Sequence, residues 1–186
     1  MIEVQDLKDQ VIAIILGKGY QRRDQPFQLS SGGFSHDYVD CRKALGSGSD
    51  LRVAANAILA MFDSIGLTFE LVGGLTMGAD PISHAIAIER QLGWFSVRKQ
   101  EKSHGTGNKI EGSQVTPNSA VLLVEDVVTS GASIIQAYGA VKQAQANVVA
   151  ATSLLDRGSR AKAEFHRLDV PYYPLLTYQD LGIDPI

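Results

Sequence analysis

Two adjacent carboxylates and a run of small, hydroxyl-bearing residues follow an aliphatic stretch from Val121 to Val124. If that stretch is a strand and a helix begins near Gly131, the backbone N–H groups between them converge on one concavity, where the helix dipole favours an anion. Carboxylates at a sheet edge can accept hydrogen bonds from ribose hydroxyls. The pattern therefore predicts a sugar-phosphate site. Its residues are Glu125, Asp126, Val127, Val128, Thr129, Ser130, Gly131, Ala132 and Ser133.

The alternative to a ligand site is an ordinary strand–turn–helix connection with a Ser or Thr cap. A single acid or a single glycine would fit that alternative. Two carboxylates at a sheet edge are costly without a ligand or a metal, and this favours the site. The standard nucleotide loops do not match. Gly73 to Gly78 is followed by Ala79 and Asp80 instead of Lys and Ser/Thr, and Ile110 stands where a dinucleotide-binding pattern needs its third glycine.

A second candidate cluster consists of Arg98, Lys99, Lys102 and His104, in a short polar segment that also contains glycines. Most charged runs are solvated surface loops, and that interpretation stays open. The functional interpretation is a mobile clamp for a polyanion, because glycines permit motion. The net charge of the chain is -3, so an anionic substrate must be held by a local basic cluster of this kind.

Composition narrows the class of protein. The 186 residues correspond to one domain, 1–186, with a small N-terminal appendage of about 1–45 on a core of about 46–186. The acidic balance gives no field that would attract nucleic acid or an acidic membrane. No apolar run approaches the roughly 20 residues of a membrane-spanning helix. Cys41 is the one cysteine, which excludes an internal disulfide, and we expect a cytoplasmic protein.

Short aliphatic segments alternate with helical patterns along most of the chain, which predicts an α/β fold with a parallel sheet covered on both faces. Ligands bind at the carboxyl ends of the strands in such folds. The appendage is expected to contain an extended piece, a turn and a short strand around Tyr38 to Asp40. The predicted strands of the core are 69–72, 94–97, 121–124, 148–155 and 172–176. The predicted helices are 4–15, one capped by Asp50, 81–91 and 131–143.

The 121–133 segment resembles the phosphoribosyl-pyrophosphate (PRPP) loop of type I phosphoribosyltransferases. The basic cluster, followed by Glu111 and Gly112, resembles the loop of one family among them, the orotate phosphoribosyltransferases. Three further segments are similar to parts of that family. They are Leu29–Gly32 with Ser35, Tyr38, Asp40 and Arg42 (the N-terminal hood strand), Gly73–Pro81 (the pyrophosphate loop) and Leu155–Arg157 (the end of the base-binding strand).

The resemblance implies the type I phosphoribosyltransferase fold and a role for each matching residue. Arg98, Lys99, Lys102 and His104 would bind pyrophosphate, and the loop carrying the last three would reach into the neighbouring subunit of a homodimer with shared sites. The 125–133 segment would hold the ribose and its 5-phosphate, and Thr129 and Arg157 would contact orotate. Many members of that family have lysine where this chain has Ser30, and some have lysine where it has Met77; both lysines contact substrate in those enzymes.

The implied reaction is displacement of the pyrophosphate of PRPP by a ring nitrogen of orotate, which gives orotidine 5'-phosphate. Cations placed against the leaving group would lower the barrier, and Lys102 and His104 are the expected catalytic residues. Mg²⁺ is the expected cofactor, bound mainly through substrate and water. No covalent nucleophile is needed, so Cys41 is expected to be a packed residue. Two alternatives stay open: a phosphoribosyltransferase for another base, and a non-catalytic regulator with the same fold.

Overall fold

Six strands form the central sheet of the computed structural model, which describes residues 4–28, 34–100, 109–158 and 160–185. The spatial order is β5–β4–β3–β6–β7–β8, and every neighbouring pair is parallel except β4 and β5. The strands are β3 (Leu71–Leu75), β4 (Gly93–Val97), β5 (Ile110–Gly112), β6 (Ala120–Val128), β7 (Asn147–Asp156) and β8 (Leu176–Thr177).

An antiparallel hairpin precedes the sheet and consists of β1 (Tyr20–Gln28) and β2 (Phe34–Val39). Side chains link its two strands: the Tyr20 hydroxyl donates to Asp37 Oδ1 at 2.7 Å, and the Arg23 guanidinium lies over the Tyr38 ring at 4.9 Å. The strand predicted near Tyr38 is thus part of this hairpin.

Helices cover both faces of the sheet, and the residues of the central strand β6 alternate between two hydrophobic clusters. Leu122 and Val124 belong to the cluster that includes residues of the first four helices. Val121 and Leu123 belong to the other cluster, with residues of the last two helices. The helices are α1 (Val4–Ile14), α2 (Cys41–Ala44), α3 (Gly48–Ser64), α4 (Asp80–Arg90), α5 (Ala132–Gln143) and α6 (Arg160–Arg167).

This arrangement confirms the predicted α/β class, with a mostly parallel sheet between two helical layers. None of the helices in the described ranges combines the length and the apolar composition of a membrane span.

Several predicted boundaries were wrong. The first core strand is Leu71–Leu75, not 69–72, so Gly73 and Gly74 lie in the strand and not in a turn. Ser47 caps α3, because its hydroxyl accepts from the Asp50 N–H at 3.2 Å, and Asp50 lies in the first turn. The last strand is Leu176–Thr177, and Tyr172 forms only an isolated bridge with Ala151. The strand β5 and the helices α2 and α6 were not predicted.

Candidate active site

A cavity of about 510 Å³ opens at the carboxyl ends of the central strands. The end of the hairpin and the start of α2, from Tyr38 to Arg42, form one wall, and residues 75–78 at and after the end of β3 form another. Glu125 and Arg157 come from the ends of β6 and β7. The topology therefore brings four distant parts of the sequence to one site, where a parallel sheet is expected to bind its ligand.

Glu125 and Asp126 lie inside β6, close to its carboxyl end, as predicted. Glu125 is only 4% exposed, and its Oε2 atom has no hydrogen-bond partner in the described part of the chain. Burial and the adjacent Asp126 carboxylate raise the pKa of Glu125 from 4.5 to about 8. A buried acceptor without a partner is costly, so the site is suited to a ligand that brings a hydroxyl donor to Glu125.

The loop after β3 packs its backbone directly against this carboxylate pair. A Cβ built on Gly78 would lie 2.3 Å from Glu125 Oε1 and 2.7 Å from Asp126 Oδ1, so a side chain at this position would displace the loop or the two carboxylates. The peptide bond between Thr76 and Met77 is cis. Because Gly78 has no side chain, it leaves the backbone of the loop open to the main cavity, which the two carboxylates also line.

The predicted phosphate cradle is a smaller concavity of about 120 Å³ at the start of α5. Gly131 precedes the helix with a φ of 83°, in the left-handed region that favours glycine. The Ser130 hydroxyl accepts from the Ala132 N–H at 3.4 Å. Residues 127–134 line the concavity together with Glu125. The predicted strand–cradle–helix order is present, and the opening of the helix towards this concavity gives it an anion-favouring potential.

The structure separates the residues predicted to bind pyrophosphate. Lys99 lines the main cavity of its own chain, and its carbonyl oxygen accepts from Gln136 Nε2 at 2.9 Å. The contact from α5 holds the Lys99 backbone beside its own cavity, and the expected reach of this loop into a neighbouring subunit stays a prediction. Arg98 points elsewhere: its Nε is 3.2 Å from Glu111 Oε1, and it lines a separate cavity of about 380 Å³. Lys102 and His104 lie outside the described residues.

Arg157 joins the base-binding side of the cavity to the hairpin. Its guanidinium donates to the Val39 carbonyl at 2.9 Å and lies 5.8 Å from the centre of the Tyr178 ring. Its buried Nε has no hydrogen-bond partner among the described residues. A partly buried guanidinium with donors to spare is suited to an anionic ligand. Thr129, the other predicted orotate contact, lines the same cavity.

Two residues of the site had no role assigned from the sequence. Arg42 lines the cavity, with its Nε 3.7 Å from Asp126 Oδ2. Asp80 accepts from the Thr76 hydroxyl and the Ser96 hydroxyl, both at 2.6 Å. Asp80 lies within the segment that matched the pyrophosphate loop, and that match was the available signal. Cys41 is buried in the cavity wall, and burial raises the pKa of its thiol to about 12, which fits a packed residue.

Among the described residues, no group of three or more His, Cys, Asp or Glu side chains is placed to hold a metal ion. The oxygen atoms of the cavity are nevertheless of the type that Mg²⁺ prefers. The unpartnered carboxylate oxygen of Glu125 is one of them.

Comparison with known proteins gives a consistent result. No model of a protein family matches the chain. An orotate phosphoribosyltransferase of Pyrococcus horikoshii is 34% identical over 175 residues, which cover 94% of this chain and 93% of that protein. The crystal structure of the Mycobacterium tuberculosis orotate phosphoribosyltransferase with Fe(III) dicitrate has a TM-score of 0.82 and 31% identity, over 95% of this chain and 99% of the other.

The same mycobacterial enzyme has also been solved in complex with PRPP. That structure has a TM-score of 0.79 and 30% identity to this chain, with coverage of 95% and 99%. The identity extends over nearly the whole length of both proteins, and the fold agrees with that of a type I phosphoribosyltransferase. On these grounds the chain belongs to the orotate phosphoribosyltransferase family.

Proposed function

We propose that the chain transfers the 5-phosphoribosyl group of PRPP to orotate, which yields orotidine 5'-phosphate and pyrophosphate in the de novo synthesis of pyrimidine nucleotides. One observation carries the proposal. The carboxylate pair Glu125 and Asp126, the cation Lys99 and the guanidinium of Arg157 line a single cavity. An anionic sugar and an acidic base can therefore be bound next to each other.

PRPP would span the cavity and the cradle. The concavity at the start of α5 takes the 5-phosphate through backbone N–H groups and the hydroxyls of Thr129, Ser130 and Ser133. The carboxylates of Glu125 and Asp126 accept hydrogen bonds from the ribose hydroxyls, which gives the unpartnered Glu125 Oε2 a donor. The remaining PRPP contacts are proposed for Val127, Val128, Gly131 and Ala132, through their backbone.

Orotate would lie between Thr129 and Arg157, with its carboxylate on the guanidinium. A fixed guanidinium pairs well with a planar carboxylate, and the bond from Arg157 to the Val39 carbonyl fixes its orientation. A neutral base would leave this buried cation without a counter-charge, which favours an acidic pyrimidine.

The reaction is displacement at the anomeric carbon. A ring nitrogen of orotate forms the new bond, and the bond to pyrophosphate breaks with its electron pair on the leaving oxygen. Negative charge thus grows on pyrophosphate, where fixed cations are most effective. Lys99 supplies one cation from the same chain. Lys102 and His104 are the proposed catalytic residues, with either one able to protonate the leaving group.

Mg²⁺ is the proposed cofactor, held mainly by the substrate and by water. Asp126 and Glu125 would offer carboxylate oxygens in the cavity to such an ion or to its waters. When bound, Mg²⁺ would neutralise part of the pyrophosphate charge.

A homodimer with shared sites is part of the proposal, and the exposed surface of α4 supports it. Ile88 is 72% exposed on this helix, and Trp94 is 39% exposed on the neighbouring strand. Large apolar side chains so exposed are suited to an interface, and two-fold dimers are the commonest assembly. Arg98 lines a separate cavity, where it pairs with Glu111, and a contact from there to a partner's site is part of the proposal. We further propose that 1–186 is one domain, that its hairpin is a hood over the cavity, and that the enzyme is cytoplasmic.

The test is a spectrophotometric assay with PRPP and Mg²⁺ in which orotate, uracil, adenine and hypoxanthine are offered in parallel. Turnover of orotate alone is the expected result. Preferential turnover of another base would replace the proposal with a phosphoribosyltransferase of different specificity. If PRPP binds but no base is turned over, the protein is a non-catalytic member of the fold.

A further inference from the structure

Arg42 stands at the mouth of the active-site cavity, beside the loop after β3. It lines the main cavity and an adjoining, mostly apolar cavity of about 410 Å³, and Met77 and Gly78 line both as well. The Arg42 side chain is 58% exposed, and its Nε lies 3.7 Å from Asp126 Oδ2. A guanidinium has five N–H donors, so this long contact leaves most of them available to a ligand.

The backbone beneath Arg42 is held firmly. It belongs to α2, in which Cys41 and Ala44 are buried. The Asp40 carboxylate caps the helix by accepting from the Lys43 N–H at 3.0 Å. The Asp40 N–H donates to the Gly19 carbonyl at 3.0 Å. The backbone of Arg42 is therefore fixed by the core, while its exposed side chain can still move at the cavity mouth.

The number of cations at the main cavity explains why the position of Arg42 is important for binding an anion. Among the described residues, the main cavity is lined by three cations, Arg42, Lys99 and Arg157, and Arg157 is proposed for orotate. Met77 is 67% exposed at the cavity and brings no charge. A pyrophosphate group carries several negative charges and needs more than one cation.

We propose that Arg42 binds the pyrophosphate group of PRPP, as a second cation beside Lys99 in the main cavity. The inference rests on the proposed function, since it assigns a contact within the same site. The 5-phosphate cradle is the concavity at the start of α5, which Arg42 does not line, whereas Arg42 lines the main cavity together with Thr76 to Gly78. The anion nearest Arg42 is consequently the pyrophosphate and not the 5-phosphate.

Asp126 changes partner in this arrangement. Without substrate, its carboxylate attracts Arg42 across 3.7 Å. When the ribose hydroxyls donate to Asp126, the guanidinium can turn to the pyrophosphate, which it can contact through two parallel N–H groups. Such a contact differs from that of a lysine, which offers a compact charge on a flexible stem.

The test is calorimetric titration of the full-length protein with PRPP and Mg²⁺. Arg42→Ala should weaken PRPP binding by roughly tenfold or more, because a charge-assisted hydrogen bond to the ligand is lost. Arg42→Lys should lose less. Arg52→Ala is the matched control: it removes the same charge from an exposed pair with Glu89 and should bind PRPP like the wild type. The thermal midpoints of all variants should agree, since an exposed ion pair adds little stability.

A rescue variant decides the assignment. Met77→Lys, introduced into the Arg42→Ala protein, should restore most of the PRPP affinity, because it returns a cation to the same part of the cavity. The proposal is overturned if Arg42→Ala binds PRPP as tightly as the wild type, if Arg52→Ala weakens binding equally, or if a folded double variant shows no recovery. A wild-type protein that fails to convert orotate would instead overturn the proposed function, which the assay above tests separately.

Discussion

Gly78 and Glu125 are in such close contact that a single methyl group on Gly78 would lie 2.3 Å from the Glu125 carboxylate. Real side chains do not approach so closely, so with any side chain at position 78 either the loop after β3 or the two carboxylates would have to move. The absence of a Cβ at position 78 thus keeps open the space in which the proposed ribose and pyrophosphate contacts are made.

Gly78→Ala should therefore lower kcat/KM on the order of a hundredfold, because the loop or the carboxylate must move by about an ångström. Steady-state kinetics with PRPP as the varied substrate measures this effect. Gly48→Ala is the control: no atom lies within 4 Å of its added Cβ, and its activity should equal that of the wild type. Normal activity in Gly78→Ala would show that the carboxylate pair is not held against this loop.

Glu125 should give stability a distinctive dependence on pH. Its pKa is raised from 4.5 to about 8, so between those values the native chain keeps a proton that the unfolded chain has released. The favourable contribution of the protonated side chain is complete below pH 4.5 and is lost as the pH rises through about 8. In urea unfolding at pH 6 and pH 9, Glu125→Gln should lose less stability over this interval than the wild type. Equal pH dependence would place the titration elsewhere.

Arg157 should affect the two substrates unequally. Arg157→Ala should raise the Michaelis constant for orotate much more than that for PRPP, because the guanidinium is proposed to pair with the carboxylate of the base. Arg157→Lys keeps the charge but not the fork-like geometry, and it should give an intermediate value. If both constants rise equally, Arg157 acts only by holding the hairpin through the Val39 carbonyl.

Shared sites can be tested by mixing two inactive variants. Lys102→Ala should remove a cation from the partner's site, and Asp126→Asn should disable the ribose contact in its own chain. After subunit exchange, each mixed dimer has one site with both defects and one with neither, so activity should return to about a quarter of the wild-type value. A mixture that stays inactive after proven exchange would mean that Lys102 acts within its own subunit.

The sequence was sufficient to predict the site where the functional residues lie directly between a recognisable strand and the start of a helix. The aliphatic run before Glu125 and the small residues after it are a strand and a helix start, and β6 and α5 are found there. Elements without such a signal were missed. The strand β5 has only three residues and lies within a polar segment, so it shows no alternation. In α6 only Ala161 and Phe165 are buried, and this narrow apolar stripe is easily overlooked.

Glycines were the main source of displaced boundaries. Gly73 and Gly74 indicated a turn, but both lie in β3, where an added Cβ on Gly73 would be 2.1 Å from the Phe95 carbonyl oxygen. Glycine in a strand can mark a close approach of another backbone, and a sequence alone does not distinguish this from a turn. The sequence also could not predict whether Lys99 or Arg98 would line the main cavity. Successive residues at a strand end point to opposite sides, and the structure was needed to show which one enters the cavity.

Asp80 binds the Thr76 hydroxyl with one carboxylate oxygen and the Ser96 hydroxyl with the other. The loop after β3 and the end of β4 are consequently joined by one acid that belongs to neither. Loss of any one of the three would leave a polar partner without its bond in a partly buried place, which costs more than replacing the whole set. In evolutionary terms, positions 76, 80 and 96 should thus change together among relatives, as one inherited unit.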